Sequence, residues 1–399
     1  MNKTVGLRAG TARVEITPPV GIRMTGYAAR KSGATGVHDP LFARVLVVRD
    51  ENVSVAIVVG DLAIFCMDRV VAEAKEKWKL DHVVLSATHT HSGPRTRSPS
   101  EWLTEAEDKM IAAIGEASEN LFPARISWAR DVIESHYLPH NRRFVNPDGT
   151  VTMMWDNPNR IPTKPVDPRA SVLRIDDDAG KPRALLVHYA CHAVVLGAQN
   201  VLISADFPGA MVDHVEKELG PDCMAMFLQG AAGDIDPFDM NLGGKHGFDI
   251  VQKTGISLAE GALRLAKKTN PLQSENGSLM KVKESVITVT FRNDATKTND
   301  RGVMAIVLGN EFAMALIGGE PFVGHQLDLD KKTPLDPTIL LGYAYFGAGS
   351  PNWYYIPTEE ATKTGGYGAD GGGINPLEAK AGEKMVDEAV RSIKELLSS

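Results

Sequence analysis

His82-Val83-Val84-Leu85-Ser86-Ala87-Thr88-His89-Thr90-His91-Ser92-Gly93-Pro94 is the stretch on which the reading of this chain turns. Its first part, His82–Leu85, is apolar and β-branched and reads as a buried strand. The chain then reaches two histidines one residue apart and breaks at Gly93-Pro94. A strand end that delivers imidazoles into a loop is a common way to build a metal or acid/base site. On an extended backbone the side chains at i and i+2 point to one face. His89 and His91 therefore either converge on one ion, divide into a metal ligand and a proton carrier, or find ordinary hydrogen-bond partners in a turn.

Outward from this stretch, apolar β-type runs alternate with amphipathic helical runs. Strands are expected at Ala43–Val48, Val53–Val59, Val83–Ser86, Ser171–Ile175, Ala184–Tyr189, Met224–Leu228, Met280–Phe291, Val303–Leu308 and Phe312–Ile317. Helices are expected at Met67–Trp78, Glu105–Ala117, Phe207–Leu219, Ile256–Ala266 and Leu377–Leu397. The last carries a stripe of Val386, Val390, Ile393 and Leu397, which is core packing. The alternation predicts an α/β fold, a large sheet-rich single domain over 1–399 with flanking helices. Gly365–Gly373 is glycine-dense but lacks a following Lys-Ser/Thr, so it is no phosphate loop and reads as a mobile loop bordering a site.

Composition narrows the function classes. The chain has 399 residues, 43% hydrophobic, and a formal net charge of −7. Without a Lys/Arg block, nucleic acid is not expected as a partner. No stretch is long and apolar enough to predict a bilayer span. The N-terminus shows no secretory h-region, which makes the cytoplasm the expected location. Cys66, Cys191 and Cys223 are sparse, odd in number and apolar in context, and read as reduced core residues.

Four further clusters bear chemistry. His188-Tyr189-Ala190-Cys191-His192 closes the apolar run Ala184–Val187, and either histidine taken alone is a core residue or a ligand. Two histidine-bearing strand ends in one α/β chain favour a shared site, since sites in open sheets gather at strand C-termini. Gln229-Gly230-Ala231-Ala232-Gly233-Asp234-Ile235-Asp236 follows the strand Met224–Leu228. Its small residues allow close backbone approach to a ligand, while its aspartates bind a cation, orient a histidine or close an Asx-turn. Gly318-Gly319-Glu320 ends another strand on an acid, either a ligand or a solvated turn carboxylate. Trp353-Tyr354-Tyr355, with Tyr367 twelve residues beyond Tyr355, forms an aromatic loop or pocket wall.

Taken in order, these clusters resemble the neutral (non-lysosomal) ceramidase family. The likeness begins at Ala12-Arg13-Val14-Glu15-Ile16-Thr17-Pro18-Pro19-Val20-Gly21-Ile22. It runs through Thr88-His89-Thr90-His91-Ser92-Gly93 to Tyr355 and Tyr367, nearly the whole chain. The resemblance implies one zinc per chain held by His89, His192, Glu320 and Tyr355. It implies an acid/base or oxyanion-side role for His91 and an active-site arginine at Arg142, with Arg143 an equally close candidate. Tyr367 is implied to hydrogen-bond the reacting carbonyl, and Asp234 to fix the tautomer of a ligand histidine. The implied activity is zinc-dependent amidohydrolysis of ceramide or a related small N-acyl compound, in sphingolipid and lipid metabolism.

The chain departs from the family pattern in three ways. Read from this sequence, it is expected to have no C-terminal immunoglobulin-like domain and no leader, and it carries Asp236 where the family has serine in Gly-Asp-Val-Ser-Pro. A carboxylate at that position would disfavour an anionic or purely apolar ligand, unless it takes a cation, an amine or a sugar hydroxyl. A zinc hydrolase of a different small soluble substrate (an ester, lactone or sugar derivative) and a non-catalytic sugar- or lipid-binding relative are the competing expectations.

Overall fold

A computed structural model describes residues 6–97, 99–273, 278–351 and 353–399. Residues 1–5, part of the N-terminus on which the expectation of no leader rests, lie outside them. A ten-stranded mixed sheet runs in the order Met224–Gln229, Pro182–Tyr189, Arg169–Asp177, Phe122–Val132, Arg8–Glu15, Phe42–Arg49, Ser54–Gly60, His82–Ala87 and Ala344–Tyr345. Asn270–Pro271 pairs off its path. Most neighbours are antiparallel. The parallel pairs are Ser54–Gly60 with His82–Ala87 and Pro182–Tyr189 with Met224–Gln229. Parallel strands need a crossover, and the helices Asp68–Trp78 and Asp206–Leu219 supply the two crossovers.

Helices and a second sheet cover both faces. Asp68–Trp78 and Glu101–Glu119 pack Val70, Ile111 and Ile114 onto Val45, Val58 and Val83. Asp206–Leu219 and Gly244–Ala266 set Phe207, Met211 and Leu258 on Val172, Leu185 and Val187. On the opposite face lies a four-stranded sheet of Met280–Phe291, Asp294–Leu308, Phe312–Ile317 and Thr338–Leu341. Its Met304, Ile306 and Met314 meet Leu46, Ile57 and Leu173. The terminal helix Ala381–Ser398 closes the far side through Met385, Val386 and Ala389. Four layers result: helix, sheet, sheet, helix. Strands covered on both faces read as unbroken apolar runs rather than alternations, and Ser54–Gly60 is buried at every position.

The α/β expectation holds, and the differences lie at particular elements. The terminal helix begins at Ala381 instead of Leu377. Leu377 is drawn into an antiparallel bridge with Phe291, and Glu378 N–H donates to Thr290 O at 2.9 Å. Phe122–Val132 escaped the sequence reading because Pro123, Arg125, Arg130 and Asp131 interrupt its apolar pattern.

The ends of the large sheet curve together. Met224–Gln229 comes against His82–Ala87, and Gln229 Nε2 reaches Thr88 O at 3.5 Å. The C-terminal ends of both parallel pairs therefore meet at one place. The second sheet delivers its own strand end there through Phe312–Ile317 and the turn that follows.

Candidate metal centre

His89 follows its strand on a left-handed backbone, φ +65°, a conformation that costs a non-glycine residue energy and gathers at functional sites. An extended chain would bring the side chains at i and i+2 to one face, and the chain is not extended here. The rings meet because the chain kinks at His89. The His89 Nδ1–H donates to Ala63 O at 2.7 Å. His192, wholly buried, donates from Nδ1–H to Ala232 O at 2.6 Å. Because a carbonyl only accepts, Nδ1 carries the proton in both rings, which leaves Nε2 as the lone-pair nitrogen of each neutral imidazole. They face Glu320, whose Oε2 lies 3.2 Å from His192 Nε2 and 3.4 Å from His89 Nε2.

His192 Nε2 and His89 Nε2 thus converge on Glu320 Oε2, three ligand-type atoms in one place. Burial keeps His192 neutral despite Glu320. Burial opposes ionisation of Glu320, but His89 and His192 hold its carboxyl well below the usual range. Imidazole nitrogens oriented by carbonyls, together with a carboxylate, are donors of the kind that can hold a divalent metal ion. His91 completes the group. Its Nε2 lies 3.1 Å from His89 Nε2, and His89, His91 and His192 together could hold a metal ion. His91 therefore sits inside the cluster. Burial, then His89 and His192, keep it neutral.

Tyr355 pairs in register with Glu320 in a short parallel bridge and stacks on His192 at 6.5 Å and 19°. Burial and then Glu320 push its phenol well above the ordinary range, against the pull of Arg142. Gly233 makes room for this arrangement, since a Cβ there would lie 2.4 Å from Glu320 O. The small residues expected to approach a ligand instead let one backbone pass under another, and Gly233 N–H donates to Pro321 O at 2.7 Å.

The geometry separates the two arginines. Arg142 Nη2 donates to Gly233 O at 2.6 Å, and the guanidinium lies 5.3 to 5.6 Å from the rings of Trp155, Tyr355 and Tyr367. Arg143 turns away and donates to Gly365 O, Ala361 O and Thr364 Oγ1, with its guanidinium over Phe322. Tyr367, 42% exposed, stands at the mouth with its ring 5.5 Å from Tyr355 and 5.3 Å from Trp155.

The two aspartates take different places. Asp234 touches no histidine. Its carboxylate accepts from Asn141 Nδ2 at 2.7 Å and Val323 N–H at 2.8 Å, so it ties two segments together. The tautomers are fixed by backbone carbonyls instead. Asp236 is fully buried, with Oδ1 3.3 Å from Arg142 Nη1 and 3.6 Å from His192 Nδ1, while its Oδ2 has no hydrogen-bond partner among the described residues. His188 is a core residue: its Nε2–H donates to Leu340 O at 3.1 Å, and burial draws it down to about 4. Burial pushes the Cys191 thiol up, which makes it inert.

Sequence reasoning missed Tyr343, whose ring lies 4.3 Å from His89, and Trp155. A short hairpin, Arg143–Val145 with Val151–Met153, returns the chain to Arg142, where Met154 N–H donates to Arg142 O at 2.7 Å and leaves Trp155 beside the guanidinium. A hairpin signal at Asp148-Gly149 would have found it.

Residues 7–247 match the family described as "Neutral/alkaline non-lysosomal ceramidase, N-terminal". The neutral ceramidase of Drosophila pseudoobscura pseudoobscura is 26% identical over 262 residues, 58% of this chain and 36% of that protein. The neutral ceramidase of Mycobacterium tuberculosis is 25% identical over 294 residues, 62% of this chain and 44% of that one. These matches span less than half of the curated relatives' length. Across 99% of this chain and 75% of the other, the fold superposes on the crystal structure of neutral ceramidase from Pseudomonas aeruginosa with a TM-score of 0.75 at 17% identity. A ceramidase structure described as complexed with C2 gives 0.77 at 16% identity, covering 99% and 76% of the two chains. Among the described residues, no helix is long and apolar enough to cross a membrane.

Proposed function

The chain belongs to the neutral/alkaline non-lysosomal ceramidase family, and from that membership we propose that it is a zinc-dependent amidohydrolase acting on ceramide or a related N-acyl compound. One observation carries the metal: His89 Nε2, His192 Nε2 and Glu320 Oε2 converge as acceptors while both Nδ1–H groups are committed to carbonyls. Tyr355, beside Glu320 and His192, is the fourth ligand in this reading. A zinc ion, if held by these residues, would lower the pKa of a bound water from about 16 toward roughly 7 and would polarise a carbonyl.

The chain's own groups supply the rest. Arg142 and Tyr367 lie together on the mouth side, where donors stabilise the oxygen of an amide as it gains charge. Asp236 holds Arg142 in place by its ion pair. His91, neutral and next to the cluster, is the group to hold and pass a proton to the departing amine. The ceramidase names of the relatives support an N-acyl substrate.

Metal analysis joined to a panel of N-acyl substrates of graded chain length tests the reading. The expected result is about one zinc per chain, turnover abolished by chelation, and released amine rather than alcohol as product. His89→Ala and Glu320→Ala should each lose the metal and the activity. Wild-type protein that binds zinc no better than these variants would remove the proposal, and released alcohol without amine would move it to an ester.

A further inference from the structure

His89 and His192 each have a carbonyl at Nδ1 that fixes the ring. His91 has none: its Nδ1 is buried and has no hydrogen-bond partner among the described residues. Something other than a hydrogen bond must therefore aim its Nε2 at the cluster.

The segment Met24–Arg30 surrounds this ring. It is tied to the histidine loop by a bridge between Met24 and Pro94 and by Thr25 N–H donating to Gly93 O at 3.1 Å. Gly26, at φ +95°, passes so close that a Cβ would lie 2.4 Å from His91 Cγ. Tyr27 meets the His91 ring edge-on at 5.1 Å and 76°. The Tyr27 hydroxyl donates to Leu196 O at 3.0 Å, in the segment that follows His192. Arg30 lies over the Tyr27 ring at 5.1 Å. Its Nη1 donates to Thr25 O and His91 O, both at 2.8 Å, and its Nη2 to Gly197 O at 3.2 Å.

We propose that Tyr27 and Arg30 are positioning residues that set the direction of the His91 imidazole by packing and by holding the His91 carbonyl, while joining the segments that carry His91 and His192. Arg30 fixes the backbone, Gly26 leaves room for the ring, and Tyr27 blocks its rotation. In the contacts described above none of them meets the side chain of His89, His192 or Glu320, so their direct effect falls on His91. The inference rests on the reading that His91 carries a proton in turnover.

The test measures zinc per chain, kcat and KM on an N-acyl substrate, and the 15N-resolved ring signals of His91, assigned with His91→Gln. Tyr27→Leu and Arg30→Met are expected to keep zinc and KM within about twofold of wild type. Misplacement of a reacting group by about an ångström costs kcat roughly 100-fold, and that is the expected loss. The His91 ring signals should shift or broaden while those of His89 and His192 stay. Tyr27→Phe, which keeps the ring, should retain most of kcat, and Arg30→Lys should recover part of it. Gly26→Ala offers a second route, since its methyl group collides with the ring directly.

Wild-type kcat with unmoved His91 signals in Tyr27→Leu and Arg30→Met would overturn the proposal. So would zinc loss in proportion to lost activity. If wild-type protein hydrolyses no N-acyl substrate, the proposed function fails, and the ring signals alone still decide whether Tyr27 and Arg30 hold His91.

Discussion

Asp236 and Arg142 form an ion pair removed from water, each at most 3% exposed. Two charges inside a protein offset each other's desolvation, and loss of one partner strands the other at a cost of roughly 3–5 kcal/mol. Asp236→Asn keeps the shape and removes the compensating charge. It is expected to lower thermal stability clearly, and to weaken turnover because the guanidinium no longer has a fixed anchor beneath Trp155, Tyr355 and Tyr367. Calorimetry checks the first and steady-state kinetics the second; unchanged melting would mean that Arg142 is stabilised by its carbonyl at Gly233 and its rings alone. The residue identities around this pair were partly legible. His89, His192, Glu320, Tyr355 and Tyr367 were named through the family resemblance, with Arg142 and Arg143 left as alternatives, and the structure brings the first five together with Arg142. The partner of each was not legible. Which carbonyl orients an imidazole, and whether Asp234 or Asp236 faces Arg142, depends on contacts between segments far apart in the chain.

Elements built on local pattern were legible for the same reason that others were not. Phe312–Ile317 matches its expected bounds because burial at every position writes an unbroken apolar run, and Met280–Phe291 matches too, although it is mostly half-buried and polar residues interrupt its apolar ones. Phe122–Val132 is only partly buried, with Arg130 pairing to Asp330 at 3.0 Å, so its polar residues serve contacts that no period reveals. The stripe on Ala381–Ser398 was legible and its partner sheet was not. Met385 and Ile393 are fully buried, against the second sheet. Replacing either with alanine removes buried methylenes and leaves a cavity, a loss of about 2–5 kcal/mol. Denaturant titration should show a lower midpoint without a large change in slope. A midpoint within error of wild type would mean that the helix is dispensable to the fold, contrary to its place as the outer layer.

At the scale of the molecule, the donors come from two sheets. His89 and His192 end strands of the large sheet, and Glu320 follows Phe312–Ile317 of the second. A cation bound by all three joins the layers, so metal binding and folding are linked. A ligand that binds only the folded state at a thousand times its dissociation constant adds about 4 kcal/mol. The metal-loaded protein is therefore expected to melt several degrees above the chelated one, and Glu320→Gln should shrink that gap. The sign of the pH dependence follows from the same groups. Folding lowers the pKa of His91 and His192 below their ordinary 6.5 and that of Glu320 below 4.5. Each depressed group binds fewer protons in the folded state, so its contribution is present above the unfolded value and lost as pH falls. Stability and metal retention should hold above about pH 6.5 and decline together below it as protons compete for the same nitrogens. Melting curves from pH 5 to 8, with and without chelator, test this. Chelator-independent melting across that range would mean that the convergence of His89, His192 and Glu320 holds no ion. A gap that widened toward low pH would reverse the assigned protonation states.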